Sequence, residues 1–303
     1  MKYVVKRRIS SGSFGTIFEV QSEEDRQIYA LKELTNIDTL TKQRFEREIT
    51  ALSKLDHPNI VKIIQWNVGG DPPDFHPYYV MEFLSGGSLR DLMDERFRSN
   101  SQYHFDVKWT LNRIILPACN ALAQAHSYNI YHRDLKPSNI MFTDSTRSSI
   151  KITDWGLVKI VDPTKSGDEG RDYMSSSATA VDVDRKSLEL TAVIGEGSIG
   201  GTPDYCSPEQ WFASAQKTSG TVDGRSDIFS LGIIFYEMLT RRRPKPYDPN
   251  NPNLARPLID MPSWISAQLR QSIIKMIELK PKNRQHSIWD LISEIEIVPE
   301  NSL

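Results

Sequence analysis

The most informative segment of this chain is Tyr131-His132-Arg133-Asp134-Leu135-Lys136-Pro137-Ser138-Asn139-Ile140. It places an acid, a lysine and an amide within six residues, after a predicted helix and before a predicted short strand. In such a setting Asp134 is suited to orient a hydroxyl group and to accept its proton. Lys136 is suited to neutralise phosphate charge, and Asn139 offers the hard oxygen ligand that magnesium prefers.

A second acid, Asp154, lies one predicted strand further on, in the segment Ile150-Lys151-Ile152-Thr153-Asp154-Trp155-Gly156. Its carboxylate is a suitable ligand for the same metal ion. Each of these polar residues, taken singly, is also typical of a capped turn. Their ordered combination favours a catalytic interpretation over four unrelated turns.

Two features near the N-terminus fit a nucleotide but do not require one. The segment Ser10-Ser11-Gly12-Ser13-Phe14-Gly15 has glycines that let a backbone approach a polyphosphate, although an ordinary hairpin turn has the same composition. Lys32 lies in an apolar strand, Ala30-Leu31-Lys32, where an ammonium group needs an anionic partner. Glu48 on the following predicted helix is one such partner, and a phosphate is another.

The composition is that of a soluble globular protein. The 303 residues are 39% hydrophobic and 25% charged, with a net charge of −2. At about 150 residues per domain, this length predicts two units or one large domain with two lobes. The net charge argues against non-specific nucleic-acid binding, and no apolar run is long enough for a membrane helix. Two cysteines, Cys119 and Cys206, favour a reducing compartment, so we expect a cytoplasmic protein.

The order of predicted elements indicates an α+β fold with two lobes. The small lobe, residues 1–83, contains five short strands and one helix with its apolar stripe on Leu40, Phe45, Ile49 and Leu52. A Gly-containing hinge at residues 84–88 leads into a mainly helical lobe, residues 89–303. The predicted strands are Tyr3–Ser10, Thr16–Gln21, Gln27–Leu34, Ile60–Gln65 and Tyr78–Phe83, and the predicted large-lobe helices are Val107–His126 (interrupted by Pro117), Ile228–Thr240, Leu269–Leu279 and Ile288–Ile297.

These motifs, in this order, resemble those of eukaryotic-type (Hanks-type) Ser/Thr protein kinases, and the resemblance runs from about Tyr3 to Ile297. It implies a bilobal kinase fold in a single domain, residues 1–303, with ATP and Mg²⁺ as cofactors. It also implies roles for the polar residues. Gly12 and Gly15 cover the phosphates, Lys32 holds the α/β-phosphates and pairs with Glu48, Asp134 is the catalytic acid, Lys136 binds phosphate, and Asn139 and Asp154 are the magnesium ligands.

The resemblance further implies an adenine site. The backbones of Glu82 and Leu84 are expected to hydrogen-bond the base, next to Met81 in the gatekeeper position. Ser88 is expected near the ribose. The remaining nucleotide contacts are apolar side chains, which also serve as ordinary core residues: Ile9, Ile17, Ala30 and Met141.

An unusually long activation segment, residues 154–209, is expected to carry regulation. By position Ser198 is the candidate activating phosphosite, with Arg133 and Lys159 placed to hold its phosphate and Thr202 close to the catalytic acid. An unmodified Ser198 is the alternative. Two structural contacts are also implied: Glu209 with Arg284, and Asp227 with the catalytic-loop backbone.

Two residues depart from the usual family pattern. Ser10 replaces the first glycine of the phosphate loop, which predicts a weaker phosphate grip. Trp155 replaces a phenylalanine, and its indole N–H needs a partner if it is buried. We expect Trp155 to alter the inactive state without abolishing catalysis.

The sequence thus predicts an ATP-dependent kinase that phosphorylates Ser/Thr hydroxyls of protein substrates, with trans-autophosphorylation in a transient homodimer as one route of activation. No nucleic-acid or membrane partner is expected. A pseudokinase that signals through conformation remains the alternative, and a small-molecule kinase is a second one. The segments Ser207-Pro208-Glu209-Gln210 and Asp227-Ile228-Phe229-Ser230-Leu231-Gly232 are similar to kinases of translation initiation factor 2, but a compact microbial kinase fits equally well.

Overall fold

The computed structural model describes most of both lobes. The described residues are 2–12, 15–35, 39–68, 76–155, 159–160, 204–210, 222–244 and 261–296. A small sheet-bearing lobe is followed by a larger helical lobe, which confirms the predicted α+β, two-lobed architecture. Element bounds differ from the sequence-based predictions by one to three residues at most ends, where hydrogen bonding rather than side-chain pattern sets the limit.

The small lobe is built on a five-stranded antiparallel sheet with strand order β1-β2-β3-β5-β4. In the central strand β3 the side chains alternate in burial, since Ala30 and Lys32 point inward and their neighbours are more exposed. In β1 the register shifts between Arg8 and Ser10, so that Ile9 lies in an irregularity of the ladder and is exposed. The strands are β1 (Tyr3–Gly12), β2 (Gly15–Ser22), β3 (Ile28–Glu33), β4 (Ile63–Asn67) and β5 (Tyr78–Glu82).

One helix, α1 (Thr39–Lys54), packs against this sheet. Phe45, Ile49 and Leu52 on its apolar stripe are buried in the core, as their helical spacing predicts. Glu48 lies within the same stripe and is carried into the lobe interior with them. The hydrophobic packing of α1 therefore forces a carboxylate into the core, where it needs a cation.

The connection between the lobes is short and tightly held. After β5, a turn leads to α2 (Leu89–Ser99), which begins with a capping box between Ser88 and Asp91. Gly86 is required because a Cβ there would lie 2.2 Å from the carbonyl oxygen of Asp144. Gly87 follows with φ +77°, a backbone conformation that glycine adopts at little cost.

The helical segment predicted over Val107–His126 is interrupted near Pro117, as expected, and the interruption takes the form of a π-helical turn. The structure divides it into α3 (Val107–Thr110), a π-helical turn (Leu111–Ile115) and α4 (Leu116–Ser127). Pro117 has no N–H and its ring clashes with a carbonyl in the preceding turn of an α-helix. The wider turn, in which the Leu116 N–H donates to the Leu111 carbonyl, makes room for the ring without ending the helix.

The centre of the large lobe is α5 (Arg225–Thr240), whose residues from Ser226 to Leu239 are all buried. This confirms the prediction from its nearly uniform apolar sequence. Gly232 allows close packing, because a Cβ there would lie 2.7 Å from that of Met276. The remaining elements are the strand β6 (Ile130–Tyr131), the pair β7 (Ile140–Phe142) and β8 (Ile150–Ile152), the short β9 (Lys159–Ile160), and the helices α6 (Ala267–Met276) and α7 (Ile288–Glu296).

The loop between α1 and β4 is anchored on the large lobe. Asn59 and Val61 exchange backbone hydrogen bonds with Ile152 of β8, at 2.8 and 3.0 Å. The side-chain amide of Asn59 also donates to the Ile150 carbonyl at 2.8 Å. The two lobes are therefore joined both at the hinge and through this loop, which holds the end of α1 and the start of β4 against β8. Within the described ranges, no helix is long and apolar enough to span a bilayer.

Candidate active site

The polar centre of the small lobe is the ion pair between Lys32 and Glu48. The Lys32 Nζ lies 2.9 Å from Oε1 and 2.7 Å from Oε2 of Glu48. Both residues are buried, since β3 turns Lys32 inward and the apolar stripe of α1 carries Glu48 with it. Burial alone would lower the pKa of Lys32, but attraction to Glu48, Tyr79 and Asp154 outweighs it and raises the pKa well above its usual value. Lys32 is therefore fully charged at neutral pH.

A residue that the sequence analysis missed, Tyr79, completes this centre. Its hydroxyl donates to Glu48 Oε1 at 2.9 Å, and its ring lies 5.6 Å from the Lys32 Nζ. Tyr79 is 1% exposed and packs against Phe45 of α1, with ring centroids 5.3 Å apart. From sequence it is indistinguishable from any inward-facing aromatic residue of a strand, so no signal marks its hydroxyl.

Tyr79→Phe isolates the contribution of this hydroxyl, because phenylalanine keeps the ring and its packing. We expect a loss of about 1.5–3 kcal/mol in the free energy of unfolding, the usual range for a hydrogen bond to a charged group. Equilibrium denaturant unfolding measures it. Tyr128→Phe, at a position that is 53% exposed, is the matched control. Equal stability of Tyr79→Phe and the parent protein would show that Lys32 alone stabilises the buried Glu48 carboxylate.

Lys32 also reaches across to the large lobe. Its Nζ lies 3.2 Å from Oδ1 of Asp154, which follows β8. Asp154 has φ +60°, an uncommon conformation for a residue other than glycine, and its side chain is 47% exposed. Desolvation would raise the pKa of Asp154, but Lys32 and Lys136 hold it below its usual value. The carboxylate is thus ionised and keeps an open side for a ligand.

Asp134, Lys136 and Asn139 form a second polar group, in the large lobe. The Lys136 Nζ donates to Asp134 Oδ2 at 2.8 Å, and the Asn139 amide donates to the Asp134 carbonyl at 2.9 Å. A 3₁₀ turn over Pro137–Asn139 brings the three residues together. Burial raises the pKa of Asp134, and attraction to Lys136 only partly offsets this. The pKa of Asp134 is therefore raised and that of Asp154 is lowered, and opposite shifts of this kind are typical of acids with different roles.

A buried acid on α5 forms hydrogen bonds with the backbone that precedes Asp134. Asp227 accepts hydrogen bonds from the backbone N–H groups of His132 and Arg133, at 2.9 and 2.8 Å. Asp227 is fully buried, and the same carboxylate contacts His126 Nε2 at 2.9 Å. The predicted contact of Asp227 with this loop is confirmed; His126 is a further partner that the sequence did not indicate.

Trp155 is fully buried beside the same loop. Its indole N–H donates to the Ile152 carbonyl at 3.4 Å, and its ring lies 4.7 Å from that of His132. The buried indole thus has the partner that its N–H was expected to need. The effect of Trp155 on an inactive state stays a prediction.

The residues proposed to bind a nucleotide base lie on adjoining strands. Ala30 pairs with Met81 between β3 and β5, and Met141 pairs with Ser88 where the hinge meets β7. Within the described part of the chain, the N–H of Leu84 donates to no backbone carbonyl, whereas the N–H of Glu82 donates to Lys62. The Ser88 hydroxyl is already bonded to Asp91, 2.7 Å away, so its demonstrated role is that of a helix cap.

The two glycines of the β1–β2 turn differ in what requires them. A Cβ on Gly15 would lie 2.3 Å from the carbonyl oxygen of Glu33, so packing alone demands glycine there. A Cβ on Gly12 would meet no atom of the described residues within 4 Å. Ile17 in β2 pairs with Lys32, which places it beside the ion pair, whereas Ile9 lies in the irregular part of β1.

Comparison with known proteins identifies the family of this chain. Residues 3–295 match the protein kinase domain. The chain belongs to the protein kinase family. Protein kinases generally use ATP and Mg²⁺ and act on proteins.

The relatives of this kinase include several from bacteria. It is 27% identical to serine/threonine-protein kinase pkn3 of Myxococcus xanthus, over 98% of this chain and 50% of the relative. A probable serine/threonine-protein kinase of Clostridium acetobutylicum is 30% identical over 99% of this chain and 40% of its own length. PknD of Protochlamydia amoebophila is 29% identical, over 97% of this chain and 29% of its own. The chain thus spans half the length of these curated relatives or less.

The predicted ion pair between Glu209 and Arg284 lies in the large lobe. The two terminal guanidinium nitrogens of Arg284 donate to the Glu209 carboxylate at 2.6 and 2.8 Å, so the predicted ion pair is confirmed. The hydroxyl of Ser226 in α5 donates to the same carboxylate at 2.7 Å. Ser198 and Thr202 lie outside the described residues, as does the side chain of Lys159. No group of three or more His, Cys, Asp or Glu side chains that would hold a metal on its own occurs among the residues described.

Proposed function

We propose that this chain is an active Ser/Thr protein kinase that transfers the γ-phosphate of ATP to protein hydroxyl groups. The observation that carries the proposal is the position of Lys32, bonded at once to Glu48 of the small lobe and to Asp154 of the large lobe. All five residues that phosphotransfer requires, the other two being Asp134 and Asn139, are present. The serine/threonine-protein kinase names of its relatives support the same activity.

The donor set fits Mg²⁺ bound together with a nucleotide. Magnesium in such sites is held by one or two protein oxygen ligands, with phosphates and water completing the shell. Asp154 presents an ionised, half-exposed carboxylate. The Asn139 amide nitrogen is used by Asp134, so its oxygen Oδ1 is left as a ligand. We assign Asn139 and Asp154 as the magnesium ligands.

Asp134 is the residue we assign to the acceptor hydroxyl. Its carboxylate is largely buried and aligned by Lys136, so it can orient a serine or threonine hydroxyl and accept its proton. Lys136 adds positive charge where charge develops on the transferred phosphoryl group. When bound, ATP supplies the phosphoryl group and Mg²⁺ neutralises part of its negative charge.

The resemblance to protein kinases supports the nucleotide contacts that we propose. Lys32 is assigned to the α/β-phosphates, and the N–H of Leu84 together with the carbonyl of Glu82 to the adenine edge. The space beside Gly12, which no atom of the described residues fills, is consistent with a backbone close to phosphate. We assign the apolar faces of the base and the remaining contacts to Ile9, Ile17, Ala30, Met81, Met141, Gly15 and Ser88.

A phosphotransfer assay tests the proposal. The chain is incubated with γ-labelled ATP and a generic protein substrate, with magnesium or with EDTA, and the labelled amino acids are identified. We expect magnesium-dependent label on serine or threonine, and a turnover lower by a factor on the order of 10² or more in Asp154→Asn.

Other outcomes of this assay identify the alternatives. ATP binding without transfer of label to any protein, in the presence of magnesium, would favour the pseudokinase interpretation. Label on small molecules of a lysate but not on protein would favour a small-molecule kinase.

Regulation and location remain proposals. We assign activation to phosphorylation of Ser198, in trans within a transient homodimer, with Arg133 and Lys159 holding the phosphate and Thr202 close to Asp134. Mass spectrometry of the purified protein tests it by the mass of the peptide containing Ser198. We propose a cytoplasmic protein with no nucleic-acid or membrane partner; the similarity to translation initiation factor 2 kinases stays a prediction.

A further inference from the structure

The side chain of Gln210 links two loops that are far apart in sequence. Its Nε2 donates to the backbone carbonyl of Arg133 at 2.6 Å. Its Oε1 accepts from the backbone N–H of Ser207 at 3.2 Å and from the Ser207 hydroxyl at 2.9 Å. Both ends of one amide are therefore engaged, one on the loop that carries Asp134 and the other on residues 204–210.

The carbonyl that Gln210 holds belongs to a strained residue. Arg133 has φ +65°, a conformation that costs a residue other than glycine about 1–3 kcal/mol and persists only where its surroundings impose it. Its N–H is held by Asp227 at 2.8 Å, and its C=O by Gln210. Arg133 is thus fixed through both of its backbone polar groups, directly before Asp134.

The other end of the Gln210 amide is attached to a rigid support. Ser230 of α5 donates to the Tyr205 carbonyl at 2.8 Å, and Ser226 donates to Glu209 at 2.7 Å. Both serines are buried in the central helix of the lobe. Residues 204–210 are therefore fastened to α5, and Gln210 passes that support on to the peptide group before Asp134.

We infer that Gln210 is a positioning residue for phosphotransfer, which holds the left-handed Arg133 and thereby aims the Asp134 carboxylate. This inference rests on the proposed function for its catalytic consequence. A misplacement of a catalytic group by about 1 Å can lower a rate by about 10²-fold. Loss of the Gln210 bond is thus expected to lower kcat while the nucleotide contacts, which lie on other elements, are kept.

Two substitutions remove the bond in different ways. Gln210→Glu is nearly the same shape and still accepts from Ser207, but a carboxylate cannot donate to the Arg133 carbonyl. Gln210→Met has a similar length and no polar group at its end. The matched control is Gln21→Glu, because the Nε2 of Gln21 also donates, at 2.9 Å, to the carbonyl of a left-handed arginine, Arg26 (φ +62°), in an outer hairpin.

Three quantities are measured for each protein: kcat and KM for ATP, the thermal unfolding midpoint, and hydrogen–deuterium exchange of the peptide that covers residues 131–136. We expect both Gln210 variants to lower kcat by about 10-fold to 10²-fold, with KM for ATP within about twofold. Exchange at residues 131–136 should be faster, and exchange at α7 unchanged. Gln21→Glu should match the parent protein in all three.

An unchanged kcat together with unchanged exchange at residues 131–136, in both Gln210 variants, would overturn the inference. A fall in kcat that only follows a loss of folded protein would overturn it as well. If the parent protein itself transfers no phosphate, the proposed function fails, and the exchange measurement alone then decides whether Gln210 holds this loop.

Discussion

Asp134→Asn is expected to lower kcat by a factor on the order of 10² or more. Asparagine keeps the shape of the side chain but cannot accept the proton of a serine or threonine hydroxyl. The Asn139 amide still has the Asp134 backbone carbonyl as its acceptor, so the loop keeps that bond. Steady-state phosphorylation of a generic protein substrate measures the effect.

The same substitution is expected to leave the thermal unfolding midpoint unchanged or to raise it. Burial raises the pKa of Asp134, so the folded state binds a proton more tightly than the unfolded state. Above the unfolded pKa the ionised carboxylate therefore costs folding free energy, and a neutral asparagine removes that cost. Loss of activity without loss of stability would separate a catalytic residue from a structural one.

The pH profile follows from the same pKa. Asp134 must be ionised to accept a proton, so kcat/KM of the parent protein should fall as the pH drops through a value above the usual aspartate range. Asp56→Asn, the same change at an exposed position outside the site, is the control and should keep the parent profile. An Asp134→Asn protein with near-parent activity would contradict the assignment.

Lys32→Met is expected to lower kcat by a factor similar to that of Asp134→Asn. Unlike Asp134→Asn, it is also expected to destabilise the fold. It takes away the cation that approaches Asp154 and leaves the fully buried Glu48 without its charge partner. Removing one partner of a buried ion pair typically costs about 3–5 kcal/mol. The pKa of Lys32 is raised, so the stability that the charge of Lys32 contributes is complete at neutral pH and is lost only as the pH rises through that raised value.

A second variant separates the two effects of Lys32→Met. In Lys32→Met/Glu48→Gln no buried charge remains in the pair, and the amide oxygen at position 48 still accepts from Tyr79. We expect the double variant to recover most of the lost free energy of unfolding and none of the activity. Denaturant unfolding and the phosphotransfer assay measure the two. Activity regained together with stability would show that Lys32 serves the fold alone.

Local pattern predicted much of the scaffold. The runs of β-branched and aromatic residues in β3 and β5 predicted these strands to within one residue, and the apolar stripe of α1 predicted its buried face. The π-helical turn before Pro117 was not predicted, because either a kink or a widened turn satisfies a proline and the packing around it decides between them. The hydroxyl of Tyr79 and the amide of Gln210 were missed, since their partners lie 31 and 77 residues away.

The chemical groups of the site and their local order follow from the amino-acid sequence alone. Asp134, Lys136 and Asn139 lie within six residues, so a short turn brings them together wherever the segment is placed. The meeting of Lys32, Glu48 and Asp154 depends on tertiary packing, because these residues lie on three elements and two lobes. Their distances depend on how α1 packs on the sheet and how β8 anchors the loop before β4. Tertiary burial, which no local pattern encodes, also raises the pKa of Asp134, and bonds from the distant Asp227 and Gln210 hold the strained backbone of Arg133.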